Sequence, residues 1–347
     1  MSSTIQQRKI DHLELCATDR VAFRKSTTLI DNIRLVHQSL PDLKLDDIDT
    51  RITLFGKELR APIFIAAMTG GTDTAAEINQ HLAAIADRLG YGFGLGSQRA
   101  MQKEPVTAWT YRVREWAPNV LLLGNLGVVQ AGHASPDAIQ TLADEVGVDA
   151  MCIHMNPAME LIQQDGDRDF RGGTETFKRL VEALKVPVVA KETGNGISSQ
   201  TAQKLRDAGV QHVDVSGAGG TSWVGVEALR AQGDAQKLGE ILWDWGVPTA
   251  ASVHWSAQAG LTPIATGGIR HGYDIARAIA MGASAGGIAR HALKALKEEG
   301  PAGAEHFLRG VETQLRAVML LCGAQNIEQL QKAPKIITGE LRDWINS

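Results

Sequence analysis

The sequence lacks the features that mark secreted, membrane-spanning and nucleic-acid-binding proteins. Its three cysteines, Cys16, Cys152 and Cys322, are too few for a disulfide framework, and their spacing matches no zinc-binding pattern. No uninterrupted apolar run approaches the roughly 18 residues that a membrane span needs, and the start of the chain contains no apolar core of a signal peptide. We therefore expect a cytoplasmic protein with reduced thiols and no membrane contact.

An excess of charge of one sign is also missing, because 35 Lys and Arg residues against 39 Asp and Glu residues leave a formal net charge of −4. A protein this close to neutral has no overall field that attracts nucleic acid, so we expect no nucleic-acid partner. Hydrophobic residues make up 44% of the chain and charged residues 21%, which is typical of a folded core and excludes a disordered chain. Any phosphate-bearing ligand must therefore be bound by a local site.

Eight short apolar runs, each closed by glycine or a polar residue, recur along the chain and predict strands that are buried on both faces. These runs cover residues 62–68, 91–95, 120–124, 149–154, 186–191, 212–215, 263–266 and 283–288. The stretches between them have helical spacing, as over residues 75–89, 199–208, 273–280 and 302–321. Eight such units without a break in composition predict an α/β protein with a (β/α)8 TIM barrel, and a doubly wound sheet is the alternative.

Two segments depart from a minimal barrel. Residues 1–60 precede the first predicted strand and are expected to form an N-terminal flap or extension, with the barrel over residues 61–347. An insertion at about residues 222–260 separates the sixth and seventh predicted strands. It holds four of the seven tryptophans, Trp223, Trp243, Trp245 and Trp255. A solvated linker is not so rich in tryptophan, so we expect the insertion to pack on the barrel top or on another subunit.

Polar groups follow most of the predicted strands, at the face where barrel enzymes place their active sites. Seven of the eight strand ends offer a polar side chain or a bare backbone amide, and core packing alone would not place polar groups there so regularly. The residues at the eight strand ends, in order, are Thr69, Ser97 to Arg99, Asn125, His154 with Asn156, Lys191, Ser216, Gly267–Gly268 and Gly286–Gly287. The pattern predicts an active site at this face of the barrel.

Two glycine clusters, over residues 266–270 and 286–290, follow the seventh and eighth predicted strands. Barrels bind phosphate there on backbone N–H groups and a helix N-terminus, so we expect a phosphate site with Arg270 beside it. Lys191 ends an apolar run and is expected to point into the barrel mouth. It could form a Schiff base, neutralise an electron-rich cofactor, or pair with Glu192 or another neighbour.

Residues 154–160 place an imidazole, an amide and a carboxylate close together without the spacing of a protein metal cage. Glu160 could still anchor a magnesium ion that is otherwise bound by water and a substrate diphosphate. No catalytic triad, nucleophile elbow or P-loop is present in the sequence.

Motifs along nearly the whole chain resemble those of the type 2, flavin-dependent isopentenyl-diphosphate isomerases. They include Arg8-Lys9-x-Asp11-His12, Ala67-Met-Thr-Gly-Gly, Gly96-Ser-Gln-Arg99, Gly166-Asp-Arg-Asp-Phe-Arg, Lys191-Glu, Ser216-Gly-Ala-Gly-Gly-Thr-Ser-Trp223, Gly267-Gly-Ile-Arg and Thr338-Gly-Glu-Leu-Arg. The resemblance implies that isopentenyl diphosphate is converted to dimethylallyl diphosphate by a 1,3-proton shift without net redox change. It also implies FMN that is active in its reduced form, NADPH as reductant, Mg²⁺, and a homo-oligomer, tetrameric or octameric.

The resemblance also assigns residues by matching positions. The substrate would be held by Arg8, Lys9, Ser97, Gln98, Arg99, His154 and Asn156, and magnesium by Glu160. FMN would be held by Ala67, Met68, Thr69, Ser97, Asn125, Lys191, Ser216, Thr221, Gly268, Ile269, Arg270, Ala289 and Arg290. The catalytic positions would be His154, Asn156 and residue 159.

Residue 159 departs from the family pattern His-x-Asn-x-x-Gln-Glu, because Met159 stands where the family has glutamine at the reacting end of the substrate. Methionine has a similar length but forms no strong hydrogen bond. If the glutamine relays protons, this chain catalyses the reaction poorly or acts on another substrate. The alternative function is that of a diverged FMN barrel enzyme with redox or decarboxylation chemistry on a related prenyl or acyl compound. If the glutamine only positions the substrate, reduced activity survives. Gln163 or Gln164 could also substitute for it.

Overall fold

The computed structural model describes residues 5–346, and residues 5–60 contain one helix and three short strands. The first four residues of the predicted extension and Ser347 lie outside the described residues. The elements are α1 (Ile5–Cys16), β1 (Ile33–Leu35), β2 (Ile52–Leu54) and β3 (Lys57–Leu59), with short 3-10 turns at Asp19–Val21, Ile30–Asn32 and Leu45–Asp47. The sequence predicts a flap or short strands in this segment, and it does not predict the helix α1.

Eight parallel strands close into a barrel, which confirms the predicted fold. They are β4 (Ile63–Ile65), β5 (Gly92–Gly94), β6 (Leu121–Gly127), β7 (Ala150–Met155), β8 (Val188–Glu192), β9 (His212–Asp214), β10 (Thr262–Ala265) and β11 (Ala285–Ile288). Each lies within or across one of the eight apolar runs of the sequence. The ring closes because β11 pairs with β4, with Gly286 in register with Ile63.

The hairpin of β2 and β3 covers the end of the barrel where the strands begin. Leu54 and Leu59 join the apolar cluster inside the barrel, which also contains Phe64. Lys57 donates to the carbonyl of Val120 and to Asp149, both just before strands of the barrel. Because this end is closed, the opposite end is left for the site.

Helices surround the barrel and fill the long connections. They are α2 (Asp73–Leu89), α3 (Arg99–Lys103), α4 (Val128–His133), α5 (Pro136–Val146), α6 (Pro157–Ile162), α7 (Gly173–Ala183), α8 (Ser199–Asp207), α9 (Trp223–Arg230), α10 (Gly233–Ile241), α11 (Thr249–Gln258), α12 (Gly272–Ala280), α13 (Arg290–Leu321), α14 (Ile327–Gln331) and α15 (Gly339–Asn346), with a 3-10 segment at Pro105–Tyr111. A last strand, β12 (Lys335–Ile337), pairs antiparallel with β1. No helix in residues 5–346 has the length and hydropathy to cross a membrane.

Local sequence signals explain where the predicted helices begin and end. The Thr72 side chain caps α2 by accepting from the amide of Ala75, and Gly90 ends the helix in the left-handed conformation with φ of 68°. The predicted helix over residues 302–321 is the second half of α13, which kinks at Gly300 before Pro301.

The insertion between β9 and β10 consists of α9, α10 and the helix α11, and it packs against the N-terminal segment. Trp243 is buried, its indole Nε1 donates to the carbonyl of Ala22 over 2.9 Å, and the Arg24 guanidinium lies 3.7 Å from its ring centroid. Trp245 is 63% exposed. The buried tryptophan thus joins the insertion to the segment that precedes the barrel.

Candidate active site

The carboxyl ends of the barrel strands open into one cavity, and α1 contributes to its wall. Every residue that the resemblance assigned to substrate, FMN, magnesium or catalysis lines this cavity, with two exceptions, Gln98 and Arg270. The residues come from α1, from the ends of the barrel strands and from the start of the insertion. The strand ends therefore meet in one place, as the barrel fold requires.

Neither exception lines the cavity: Gln98 is buried away from it, and Arg270 is exposed at the surface. Gln98 is fully buried, its Nε2 donates to the carbonyl of Leu142, and its Oε1 accepts from the amide of Asn125 over 3.0 Å. The Arg270 guanidinium is occupied by Asp274 and Asp31, with Nε 3.0 Å from Asp274 Oδ2. Hydrogen bonds to backbone groups hold the Gln98 side chain, and carboxylates hold that of Arg270, so no ligand is needed to explain either position. The predicted contacts of Gln98 with substrate and of Arg270 with FMN stay predictions.

A cluster of cations forms one end of the cavity. Lys9 Nζ donates to the carbonyl of Ser97 over 3.2 Å, and burial together with Arg8 lowers the pKa of Lys9 to about 7. Burial also lowers the pKa of Arg8. Arg99 lies 3.8 Å from Asp167, while its Nε is buried without a hydrogen-bond partner. Buried positive charge with so few carboxylate partners favours an anionic ligand.

His154 lies at the end of β7 beside this cluster. Its Nδ1 is 2.8 Å from Asn125 Oδ1, and Asn125 Nδ2 donates to the carbonyl of Leu95. This arrangement makes Nδ1 the donor and leaves Nε2 as an acceptor. Burial, with Lys191, Lys9 and Arg99 nearby, lowers the pKa of His154 to about 3. The imidazole is therefore neutral, and Nε2 can accept a hydrogen bond.

Asn156, Met159 and Glu160 follow β7 and form the next part of the wall. Asn156 Nδ2 donates to Glu160 Oε1 over 3.0 Å and lies 3.8 Å from the Met159 sulfur. Glu160 Oε2 accepts from the amide of Asp167. Among residues 5–346, no group of three or more His, Cys, Asp or Glu side chains is placed to hold a metal ion. A magnesium ion at Glu160 would need its other ligands from water and substrate oxygens, a coordination that Mg²⁺ commonly adopts.

Lys191 forms a buried ion pair at the end of β8. Its Nζ is 2.8 Å from Asp214 Oδ2, and the other oxygen of Asp214 accepts from the Thr266 hydroxyl. The partner is therefore Asp214 and not Glu192, whose carboxylate accepts from backbone amides of the following loop. The pair keeps a cation at the cavity wall at a fixed position.

The glycine turns after β10 and β11 form another part of the cavity. Gly267 and Gly268 have φ of 91° and 76°, and a Cβ at Gly268 would lie 2.4 Å from the Thr28 side chain. Arg290 lines the cavity here, and its Nη1 is buried without a partner. The first cation cluster adjoins Ser97 and Arg99, which follow β5, and in the closed barrel β4 lies between β5 and β11. The cavity therefore has two cationic regions at different strand ends of the barrel mouth.

Buried polar atoms without a partner are concentrated in this cavity. Of the nine such side-chain atoms in the described part of the chain, five belong to residues that line it. They are Thr69 Oγ1, Arg99 Nε, Gln163 Nε2, Thr193 Oγ1 and Arg290 Nη1. All five can donate, and buried donors are almost always satisfied. The cavity is thus suited to ligands rich in hydrogen-bond acceptors.

Sequence reasoning missed the group that connects α1 to the insertion. His12 Nε2 lies 2.7 Å from Glu227 Oε1, Arg230 contacts both Glu227 and Asp11, and the His12 ring meets Trp223 edge-on. The spacing of Arg8 and His12 could have indicated it, because residues four apart share one face of a helix and both side chains would then point the same way.

Known proteins resemble this chain in sequence and in fold. A family described as FMN-dependent dehydrogenase matches residues 1–154 and 129–337. Two proteins named isopentenyl-diphosphate delta-isomerase are similar over nearly the whole length. The one from Methanosarcina barkeri is 44% identical over 99% of this chain and 95% of its own, and the one from Methanothermobacter thermautotrophicus is 42% identical over 99% and 96%.

A solved structure of a mandelate oxidase variant with (S)-mandelic acid shares the fold, with a TM-score of 0.68 and 18% identity over 96% of this chain and 94% of its own. That low identity supports the barrel architecture alone. The relatives at 40% identity and above decide the family. The chain belongs to the FMN-dependent dehydrogenase family and, within it, to the isopentenyl-diphosphate delta-isomerases.

Proposed function

We propose that this protein converts isopentenyl diphosphate to dimethylallyl diphosphate by a 1,3-proton shift, with reduced FMN bound in the barrel mouth. The observation that supports this most is the presence of two separate cationic regions in one cavity, one with Arg290 and the other with Arg8, Lys9 and Arg99. One suits the phosphate of a flavin nucleotide, and the other suits a diphosphate. The names of the relatives favour this reaction over the redox or decarboxylating alternative.

The residues present fit FMN. Arg290 Nη1 and the amides of the Gly267–Gly268 turn offer donors for its phosphate, and Lys191 offers a buried cation for its ring. Ala67, Met68, Thr69, Asn125, Ser216 and Thr221 would line the remainder of the cofactor. Reduced FMN, when bound, supplies an electron-rich ring for acid–base chemistry, and we propose NADPH as its reductant.

The region with Arg8, Lys9 and Arg99 fits the substrate. We propose that Arg8, Lys9 and Arg99 bind the diphosphate, with His154 and Asn156 beside it, and that Glu160 would hold a magnesium ion whose charge would favour binding of the diphosphate. The neutral His154 presents Nε2 as an acceptor, which orients a donor on the ligand or on bound water. We further propose a homo-oligomer, tetrameric or octameric, which light scattering of the purified protein would measure.

Proton NMR of the reduced protein with isopentenyl diphosphate and Mg²⁺ in D₂O tests the reaction. We expect the methyl signals of dimethylallyl diphosphate to appear, with deuterium from solvent in the product, because the shift adds one proton and removes another. The oxidised protein is the control and should give no product. Binding of isopentenyl diphosphate without any conversion by the reduced protein would contradict the proposed function.

A further inference from the structure

Gln163 is a buried amide on the cavity wall whose donor has no partner. The residue is 5% exposed and lines the cavity together with Met159 and Glu160. Its Nε2 has no hydrogen bond and is shielded from solvent, so bulk water does not satisfy it. An unsatisfied buried donor is costly, and proteins seldom keep one without a function.

The backbone around Gln163 is fixed, which leaves the side-chain amide as the unused group. The Gln163 amide nitrogen donates to the carbonyl of Met159 over 3.1 Å. Its carbonyl accepts from the amide of Gly166 and from Arg168 Nη2 over 3.1 and 3.0 Å. The Arg168 guanidinium also donates to the carbonyl of Glu160. These contacts fix the residue at the end of α6.

The neighbouring groups do not satisfy the amide. The two oxygens of Glu160 accept from Asn156 Nδ2 and from the amide of Asp167. Met159 lies one helical turn before Gln163, so the two side chains share a face, and its thioether is a weak acceptor. A strong acceptor must therefore come from the ligand that fills this region of the cavity.

We propose that Gln163 is a substrate-binding residue whose Nε2 donates to an oxygen of the bound diphosphate. The inference rests on the proposed function for the identity of the ligand. The cations Arg8, Lys9 and Arg99 supply charge, and the amide of Gln163 adds a neutral donor that orients one oxygen of the diphosphate. The exposed neighbour Gln164 has no such position.

The test measures binding of inorganic diphosphate to the oxidised, flavin-loaded protein by calorimetry. Gln163→Met keeps the length of the side chain and removes the donor. Because a hydrogen bond to a charged group contributes about 1.5–3 kcal/mol, we expect affinity to fall by roughly 10- to 100-fold. Gln164→Met is the matched control and should bind as the wild type does.

Two further measurements separate this role from a structural one. Without ligand, Gln163→Met should melt no lower than the wild type, because it removes an unsatisfied donor. Gln163→Glu should bind diphosphate no better than Gln163→Met does, because a carboxylate only accepts hydrogen bonds and repels the anion. Unchanged affinity in Gln163→Met, a lower melting temperature with loss of flavin, or affinity in Gln163→Glu as high as in the wild type would overturn the proposal.

The outcome is independent of turnover. A wild type that binds inorganic diphosphate through Gln163 but does not isomerise isopentenyl diphosphate would refute the proposed reaction and leave this binding residue standing. If the wild type isomerises isopentenyl diphosphate and Gln163→Met binds inorganic diphosphate as tightly as the wild type, the proposed reaction stands and the role of Gln163 is refuted.

Discussion

At the scale of single residues, burial has changed the proton affinity of the groups that face the ligand. Lys9, with its pKa lowered to about 7, loses much of its charge near neutral pH, although its expected partner is an anion. A diphosphate beside the amine would favour the ammonium form and raise this pKa. Binding would then require proton uptake whenever the pH lies above about 7.

We therefore predict that diphosphate affinity falls as the pH rises from about 7 to 9, by up to about tenfold per pH unit. The ligand for this measurement is isopentenyl diphosphate. Its own ionisation has the opposite sign but is largely complete by then, since the terminal phosphate of an ester titrates near pH 6. Calorimetry at several pH values, in buffers of different ionisation enthalpy, measures both the affinity and the proton uptake.

Lys9→Arg is the matched variant, because a guanidinium stays protonated throughout this range. We expect it to bind diphosphate with little pH dependence. If the affinity of Lys9→Arg falls with pH as steeply as that of the wild type, another group takes up the proton. His154, with its low pKa, would be the first alternative.

At the scale of elements, the contact between α1 and α9 determines whether Arg8 and Lys9 reach the cavity. Glu227 on α9 is 2% exposed and lies 2.7 Å from both His12 Nε2 and Arg230 Nη1. Arg230 in turn contacts Asp11 on α1. Removing one partner of a buried charged network is costly, because the remaining charge is left uncompensated.

We predict that Glu227→Gln loosens α1 and weakens diphosphate binding by about tenfold or more, while flavin content is unchanged. Trypsin provides the direct measurement, because Arg8 and Lys9 are cleavage sites that a docked helix protects. Glu14→Gln, on the exposed face of α1, is the control and should be cut as slowly as the wild type. Equal cleavage rates in Glu227→Gln and the wild type would refute this role.

The elements also differ in how far the sequence predicts them. Strands such as β7 and β8 are continuous apolar runs ended by polar residues, so their position and the polar strand ends could be predicted. The helix α1 could not, because it is mostly polar and its order depends on Glu227, which is distant in sequence. The same limit applies to Gln98 and Arg270, whose partners Leu142 and Asp31 are brought to them only by the fold.

At the scale of the whole molecule, the barrel is closed at one end by the β2–β3 hairpin, and at the other end the strand ends meet in a cavity with buried, unpartnered donors. A ligand that satisfies these donors binds the folded state alone, and so it adds to the free energy of unfolding. At a concentration of 100 times its dissociation constant, such a ligand contributes about 2.7 kcal/mol.

We predict that FMN raises the melting temperature of the flavin-free protein more than riboflavin does at the same concentration. Riboflavin lacks the phosphate, so it cannot use Arg290 Nη1 or the amides of the Gly267–Gly268 turn. In Arg290→Ala, the melting temperatures with FMN and with riboflavin should differ by less than they do in the wild type. Arg290→Ala tests the phosphate site better than a substitution at Gly268 does. Any Cβ at Gly268 would clash with the Thr28 side chain even without a ligand, so its effect would not be specific to the phosphate.

Lys294→Ala is the control for a general loss of positive charge, because Lys294 lies one turn further along α13 and pairs with Asp19. It should keep the full difference between FMN and riboflavin. Equal stabilisation of the wild type by the two ligands would show that the phosphate does not bind at these turns. A difference that Arg290→Ala leaves intact would remove Arg290 from the phosphate site and leave the backbone amides of the glycine turn as its donors.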